Sequence, residues 1–137
     1  MVRMTRSGFF SVESLRGVWI LVIDADPHGR QTLVEILSYC GALVTPLASP
    51  AEALSVMRQV KPDMLVFSLT QSSDFAFIRL VRALKPEEGG VVPAIAVGTA
   101  DSPSDDTVRS RGFQASLRKP LDPWALCRIV SELVTMQ

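Results

Sequence analysis

The sequence predicts an α/β domain built on a doubly wound parallel sheet of strand order 2-1-3-4-5. Five short apolar runs alternate with five segments of helical pattern along the 137 residues. Each connection is long enough to carry a crossover helix, which favours parallel pairing. The second run contains Pro46, and a proline cannot donate to a central ladder, so this strand belongs at an edge. Right-handed crossovers then favour the doubly wound order.

The strands are predicted from apolar runs that end at turn residues. They cover residues 18–23, 42–47, 64–67, 92–97 and 115–117. The helices are predicted from capping and stop signals, as at Asp26, Pro27 and Gly41 for the first one. They cover residues 27 to 39 or 40, 50–60, 75–85, a short stretch that follows the loop 101–106 and ends at Gly112, and 123–135.

Residues 1–17 have no clear period and are predicted to be an N-terminal tail or linker, which leaves 18–137 as the domain. Lys and Arg number 14 and Asp and Glu number 14, so the net charge is zero. This balance argues against non-specific binding to nucleic acid or to a membrane surface. No apolar run approaches the roughly 20 residues of a membrane span, and the N-terminus lacks the pattern of a secretory signal.

The two cysteines, Cys40 and Cys127, are far apart in sequence. They indicate no disulfide framework and fit a reducing, cytoplasmic location. We interpret them as small buried apolar residues rather than redox switches. His28 has no second His or Cys at a metal-ligand spacing, so we interpret it as a surface residue of the first helix.

In a doubly wound sheet the ligand crevice lies at the carboxyl ends of the strands. Here that edge carries the loops after Ile23, Phe67 and Val97 and the turn at Lys119. Five short motifs occur around these loops in one order. They are LVIDADP at 21–27, AEAL at 51–54, KPD at 61–63, PAIA at 93–96 and LRKP at 117–120.

Together these motifs resemble the receiver domain of two-component response regulators, especially receivers attached to hybrid histidine kinases, over residues 17–135. The resemblance implies a flavodoxin-like (βα)5 fold. It also implies a phosphoacceptor aspartate after the third strand and an acidic pair after the first strand that helps to hold Mg²⁺. A Thr or Ser after the fourth strand and a Lys after the fifth would contact the phosphoryl oxygens.

This chain departs from that pattern at most of these positions. The acceptor position falls on Ser68, and the acidic pair falls on Asp24 and Ala25. The hydroxyl position falls on Gly98, with Thr99 beside it. A serine hydroxyl is a poor nucleophile without an adjacent base, so the resemblance points to a pseudo-receiver that is not phosphorylated on Asp.

The remaining pocket positions are mixed. Lys119 is retained, Asp26 is interpreted as a helix cap, and Ser116 replaces the aromatic residue that usually reports the switch. We therefore expect no cofactor and weak or absent Mg²⁺ binding. A Lys119 ammonium near Asp24 would instead form a metal-free ion pair that holds the pocket in one state.

The expected function is a non-enzymatic signalling module that acts by protein contact in a two-component or related pathway, with a histidine kinase or another signalling protein as partner. No second domain is predicted, so the output passes through a partner or the chain is one domain of a larger protein. The face of the fourth helix, fifth strand and fifth helix is a candidate surface for a partner or a homodimer. Its candidate residues, with the aromatic pair of the tail, are Trp124, Arg111, Ser116, Arg118, Arg128, Phe9 and Phe10.

Alternatives remain for both the residues and the function. Trp124 would otherwise cover Pro120 and Leu121 of its own chain, and the Phe pair would otherwise belong to a poorly ordered tail. The chain would otherwise be a working phosphoacceptor that uses Asp24, Asp26 or Asp74. A flavodoxin-like FMN carrier is disfavoured, because the acidic segment 24–27 would repel a phosphate.

Overall fold

The computed structural model describes residues 14–69 and 75–135. Helices and strands alternate throughout, which confirms the predicted pattern. In chain order they are β1 (Trp19–Ile23), α1 (Pro27–Tyr39), β2 (Leu43–Leu47), α2 (Pro50–Met57), β3 (Met64–Ser68), α3 (Phe75–Arg82), β4 (Ala94–Gly98), α4 (Asp105–Ser110), β5 (Ala115–Arg118) and α5 (Pro123–Thr135). A short 3-10 turn, Pro86–Glu88, separates α3 from β4. Among the described helices, none has both the length and the apolar character needed to cross a bilayer.

The sheet has the predicted order β2-β1-β3-β4-β5, and all four strand pairs are parallel. Strand β2 lies at an edge, with Pro46 opposite Val22 of β1. Strands β3 and β4 are buried along their whole length, as expected for central strands covered by helices on both faces. The predicted doubly wound fold is therefore confirmed.

Two hydrophobic clusters lie on opposite faces of the sheet, because side chains alternate along each strand. On one face, Ile20 and Val22 of β1 share a cluster with residues of α1 and α5. On the other face, Leu21 and Ile23 share a cluster with residues of α2 and α3. The helices of both faces begin at the carboxyl edge of the sheet, so the polar residues there rest on a fully packed core.

Helices α2 and α3 are each about three residues shorter than predicted. For α3 the reason lies in Pro86, because the residue before a proline avoids the helical region. Lys85 is extended, with φ of −66° and ψ of 155°, and begins the 3-10 turn. The chain therefore leaves the helix before the apolar pattern ends.

The packed body begins before Val18, which corrects the predicted boundary of the tail. Leu15 is fully buried and belongs to the cluster beneath α1 and α5. Its backbone N–H donates to the carbonyl of Cys40 at 2.9 Å, and its own carbonyl accepts from Val18. This segment was predicted as tail because a single apolar residue has no period. Phe9 and Phe10 lie outside the described residues.

Candidate functional site

Three predicted pocket residues converge at the carboxyl edge of the sheet. Ile23 lies opposite Phe67 in the register of β1 and β3, so Asp24, just after β1, and Ser68, the last residue of β3, lie at the ends of neighbouring strands. Both are buried, with exposed fractions of 2% and 7%. The Nζ of Lys119, just after β5, lies 3.7 Å from Asp24 Oδ2 and 3.5 Å from Ser68 Oγ. The predicted pairing of Lys119 with Asp24 is thus present in the structure.

The Asp24 carboxylate is held on one side only. Its Oδ1 accepts a hydrogen bond from the backbone N–H of Asp26 at 2.9 Å. Its Oδ2 is buried and accepts no hydrogen bond, although Lys119 lies near it. Arg30 donates to the Asp24 carbonyl at 2.8 Å rather than to its carboxylate. Because a buried carboxylate is costly without a counter-charge, Lys119 is the cation that compensates Asp24.

Gly29 makes room for this pair, a role that the sequence reading missed. A Cβ at this position would lie 2.5 Å from Asp24 Oδ2 and 3.2 Å from Lys119 Nζ. Any side chain would therefore push the carboxylate or the ammonium aside. A glycine inside a helix costs about 1 kcal/mol relative to alanine, so its place in the first turn of α1 was an available signal.

Asp26 caps α1, as predicted. Its carboxylate accepts from the backbone N–H groups of His28 at 3.3 Å and Gly29 at 3.2 Å, which satisfies two donors of the first turn. Ala25 is exposed and contributes no ligand atom from its side chain. Within residues 14–69 and 75–135, no three His, Cys, Asp or Glu side chains gather where they could hold a metal ion.

Ser102 fills the space beside Gly98, the position where the resemblance to receivers implies a hydroxyl. A Cβ on Gly98 would lie 2.6 Å from Ser102 Oγ and 2.7 Å from Ser102 Cβ. The same Ser102 Oγ accepts from the backbone N–H of Thr99 at 2.9 Å, and Thr99 itself is exposed. The role of Ser102 depends on the path of the loop after β4, and no local sequence signal announces it.

Two side chains of β5 bind the segment that leads into α4. Ser116 Oγ donates to Asp105 Oδ1 at 2.5 Å. The Arg118 guanidinium donates to the carbonyls of Thr99, Ser102 at 3.4 Å and Pro103 at 3.0 Å. We call the Ser116–Asp105 bond and these Arg118 bonds the β5 latch.

The β5 latch changes the pKa of the Asp105 carboxyl. The hydrogen bond from Ser116 is the largest cause that lowers the pKa of the Asp105 carboxyl, and Arg109, which donates at 2.8 Å, adds to the effect. A hydrogen bond to the ionised form stabilises that form. Ser116 therefore makes a polar contact between β5 and α4.

The candidate interface residues lie in different surroundings. Trp124 is 49% exposed and lines a groove between α1 and α5 together with Tyr39 of α1. Arg111 lies over the ring of Phe75, 5.0 Å from its centroid. Arg118 belongs to the latch, and Arg128 is half-buried on α5. Among the described residues, none of these three arginines lines the groove, and the surface with Trp124 as anchor and the arginines as rim stays a prediction.

No protein-family model matches the chain. It is 35% identical over 124 residues to an uncharacterised 14.6 kDa protein in the sodA1 3' region of Leptolyngbya boryana, covering 88% of this chain and 93% of that protein. It is 25% identical over 116 residues to the protein PilH of Pseudomonas aeruginosa, covering 84% of this chain and 96% of PilH. Both matches extend along nearly the whole described body.

Among solved structures, the receiver domain of the sensor histidine kinase PA1611 from Pseudomonas aeruginosa superimposes with a TM-score of 0.76 at 23% identity. The match covers 87% of this chain and 98% of that domain, which was crystallised with a magnesium ion coordinated in its active-site cleft. The chain therefore belongs to the same family as the Leptolyngbya boryana protein and has the flavodoxin-like fold of response-regulator receiver domains.

Proposed function

We propose that this protein is a receiver-like module of a two-component or related pathway that signals by protein contact, without phosphorylation on Asp. The observation that carries the proposal is the Lys119 ammonium, 3.7 Å from the buried Asp24 carboxylate and 3.5 Å from Ser68 Oγ. In place of a carboxylate nucleophile beside a metal ion, the pocket holds an ion pair and a hydroxyl.

The nucleophile side of the pocket supports the absence of phosphoryl transfer. Ser68 needs a base to become an effective nucleophile, and among residues 14–69 and 75–135 the side chain that hydrogen-bonds to its Oγ is Lys119. His28, the single histidine of the sequence, is exposed in the first turn of α1. Its backbone N–H is engaged by the Asp26 cap. We therefore propose that Ser68 is a structural member of the pocket.

The metal side of the pocket supports weak or absent Mg²⁺ binding. Mg²⁺ prefers near-octahedral oxygen ligands, commonly including carboxylates. Here Asp24 offers one free oxygen, Ala25 offers none from its side chain, and the Asp26 carboxylate caps α1. The Lys119 ammonium lies where it would repel a divalent cation bound at Asp24 Oδ2. The residues present do not fit the metal.

The β5 latch supports a single conformational state for the candidate partner face of α4, β5 and α5. Ser116 and Arg118 tie β5 to α4 and to the loop that precedes it, so no aromatic side chain is available there to change position. We propose a cytoplasmic partner, a histidine kinase or another signalling protein, that recognises this fixed surface. The solved neighbour taken from a sensor histidine kinase is consistent with such a pathway.

Phosphorylation is tested by incubating the intact protein with acetyl phosphate and Mg²⁺ and then measuring its mass. We expect no gain of a phosphoryl group, whereas a phosphorylatable receiver treated in parallel gains one. Mg²⁺ titration followed by backbone NMR is the companion measurement. Shifts of the Asp24, Ser68 and Lys119 signals at sub-millimolar Mg²⁺ would contradict the metal-free pair.

A second candidate is a phosphoacceptor that uses another acid, and one observation favours it. Asp24 Oδ2 is buried and accepts no hydrogen bond, so one oxygen of this carboxylate is uncommitted apart from the ion pair. Asp26 is engaged as the cap, and Asp74 lies outside the described residues. A phosphoryl adduct that hydroxylamine removes, mapped to one of these three residues, would support this candidate against our proposal.

The proposed homodimer face of α4, β5 and α5 is tested by light scattering of the purified protein. Of the arginines proposed for this face in the sequence analysis, Arg111 and Arg128 lie outside the latch. If the face forms a dimer, Arg111→Glu together with Arg128→Glu will shift the mass towards that of a monomer. A monomer in the wild type at all concentrations would leave a different protein as the partner of this face.

A further inference from the structure

The two cysteines form a close buried pair, although 87 positions separate them in sequence. The Sγ atoms of Cys40 and Cys127 lie 2.7 Å apart, and the exposed fractions of the two residues are 2% and 1%. Cys40 is the C-cap of α1, and Cys127 lies on the inner face of α5. The packing of α1 on α5 thus brings two thiols into direct contact.

We propose that Cys40 and Cys127 are a redox modification site that forms a reversible intramolecular disulfide with a small-molecule disulfide such as oxidised glutathione. One cysteine thiolate attacks the glutathione disulfide, forms a mixed disulfide and releases one glutathione. The second cysteine then displaces the other glutathione. Two protein thiols are oxidised, one disulfide is reduced to two thiols, and the protons pass to the released glutathione and solvent. This inference does not rest on the proposed function.

The α1–α5 groove gives an oxidant a route to the pair. The groove has a volume of about 310 Å³, and its lining includes both cysteines beside Tyr39 and Trp124. Those two aromatic side chains are 66% and 49% exposed, so the groove opens to solvent. Both cysteines belong to the buried cluster of this face of the sheet and also line the groove.

The surroundings of Cys40 and Cys127 favour slow thiol–disulfide exchange rather than a rapid reaction with the oxidant. Cys127 Sγ also lies 3.8 Å from the carbonyl of Ile36, to which it donates. Burial is the largest cause that raises the pKa of the Cys127 thiol. Since the thiolate is the attacking species, little of Cys127 reacts at neutral pH. We expect the bond to form over a long incubation rather than at once.

The disulfide would join the C-terminal end of α1 to the second turn of α5. It would also fix the site where the N-terminal segment attaches, because the Cys40 carbonyl accepts from the Leu15 N–H. A cross-link between residues distant in sequence restricts the unfolded chain more than the folded one. Oxidation should therefore raise the thermal midpoint, and reduction with dithiothreitol should restore it.

The experiment treats the folded protein with oxidised glutathione, denatures it in acid, alkylates the remaining thiols and measures the intact mass. We expect the wild type to lose both alkylatable thiols, with no retained glutathione and no dimer on a non-reducing gel. The matched variants Cys40→Ala and Cys127→Ala each keep one thiol, free or as a glutathione adduct. Their thermal midpoints should not rise on oxidation.

Two results would overturn the proposal. One is a folded wild type that keeps two free thiols while the same treatment modifies the guanidinium-unfolded chain, which shows that the oxidant was active. The other is a folded wild type that retains glutathione on either cysteine instead of closing the bond. A peptide map without reduction identifies the bond directly, since the Cys40 and Cys127 peptides then travel as one species.

Discussion

The polar side chains on the two sides of the sheet's carboxyl edge are held by different kinds of interaction. On the β1–β3 side, Asp24 Oδ2 is buried without a hydrogen bond, and its cation lies 3.7 Å away. On the β4–β5 side, Ser116 and Arg118 make direct hydrogen bonds to Asp105 and to loop carbonyls. On the β1–β3 side, the Asp24 carboxylate is thus held by an ion pair without a hydrogen bond to its Oδ2. On the β4–β5 side, the polar side chains are held by direct hydrogen bonds. The two sides of the pocket edge therefore make different targets for mutation.

The largest expected effect comes from breaking the pair at Lys119. Lys119→Met leaves a buried carboxylate without its cation, and loss of one partner of a buried pair is strongly destabilising. Because the Lys119 side chain is 33% exposed, we expect a loss of about 2 kcal/mol in the free energy of unfolding, below the usual range for a fully buried pair. Urea denaturation measures it.

The matched control for that prediction is Asp24→Asn, which keeps the shape and the acceptor for the Asp26 N–H. We expect it to cost less than Lys119→Met, and the double variant to resemble Asp24→Asn alone. Equal losses in both single variants that add in the double variant would mean that the two groups do not interact.

The next effect comes from restoring a hydroxyl at Gly98. Gly98→Thr forces its Cβ against Ser102, and overpacking of this kind costs about 2 kcal/mol or somewhat less. Adding Ser102→Gly removes the colliding atoms and should recover most of the loss. Urea denaturation of the three variants checks this, and an undiminished loss in the double variant would show that the strain lies elsewhere.

A smaller effect is expected at the latch. Arg118→Ala removes hydrogen bonds to carbonyls of the loop before α4, and we expect about 1 kcal/mol of local stabilisation to be lost. Hydrogen exchange should rise for residues 99–104 and stay unchanged around Asp24. Arg128→Ala is the matched control on α5. Uniform exchange changes across the chain would contradict a local latch.

The smallest effect is a pH dependence carried by Asp105. Its pKa is lowered in the folded state, chiefly by Ser116, so its contribution to stability is present above the unfolded value, about 3.9. The contribution is lost as the pH falls through the folded value. Ser116→Ala should raise the Asp105 pKa in an NMR titration. The stability difference from wild type should be largest near neutral pH and vanish in acid.

The fold was predictable because its signals are local. Asp26 and Pro27 announce the start of α1, and Pro46 assigns β2 to an edge. The pocket was predictable in part, since parallel topology brings Asp24, Ser68 and Lys119 to one edge whatever the loops do. Which of the pocket positions would carry acids in a phosphorylated receiver is implied only by the resemblance of the motifs, and it stays a prediction.

The remainder depends on contacts between segments that have no periodic signal. Ser102 lies beside Gly98 only because of the path of the loop after β4. The positions of the carbonyls that accept hydrogen bonds from Arg118 cannot be predicted from the local sequence either. Cys40 and Cys127 meet only because α1 packs on α5. Leu15 was placed in a tail because one apolar residue carries no pattern. Such contacts follow from three-dimensional packing and need the structure.

The proline in β2 also limits how this protein can aggregate or assemble. An exposed edge strand offers its N–H and C=O groups to any extended chain that comes alongside. Pro46, paired with Val22 of β1, has no N–H to offer and interrupts the row of donors at the fourth position of a five-residue strand. Growth of the sheet by strand addition is therefore discouraged on this side of the sheet.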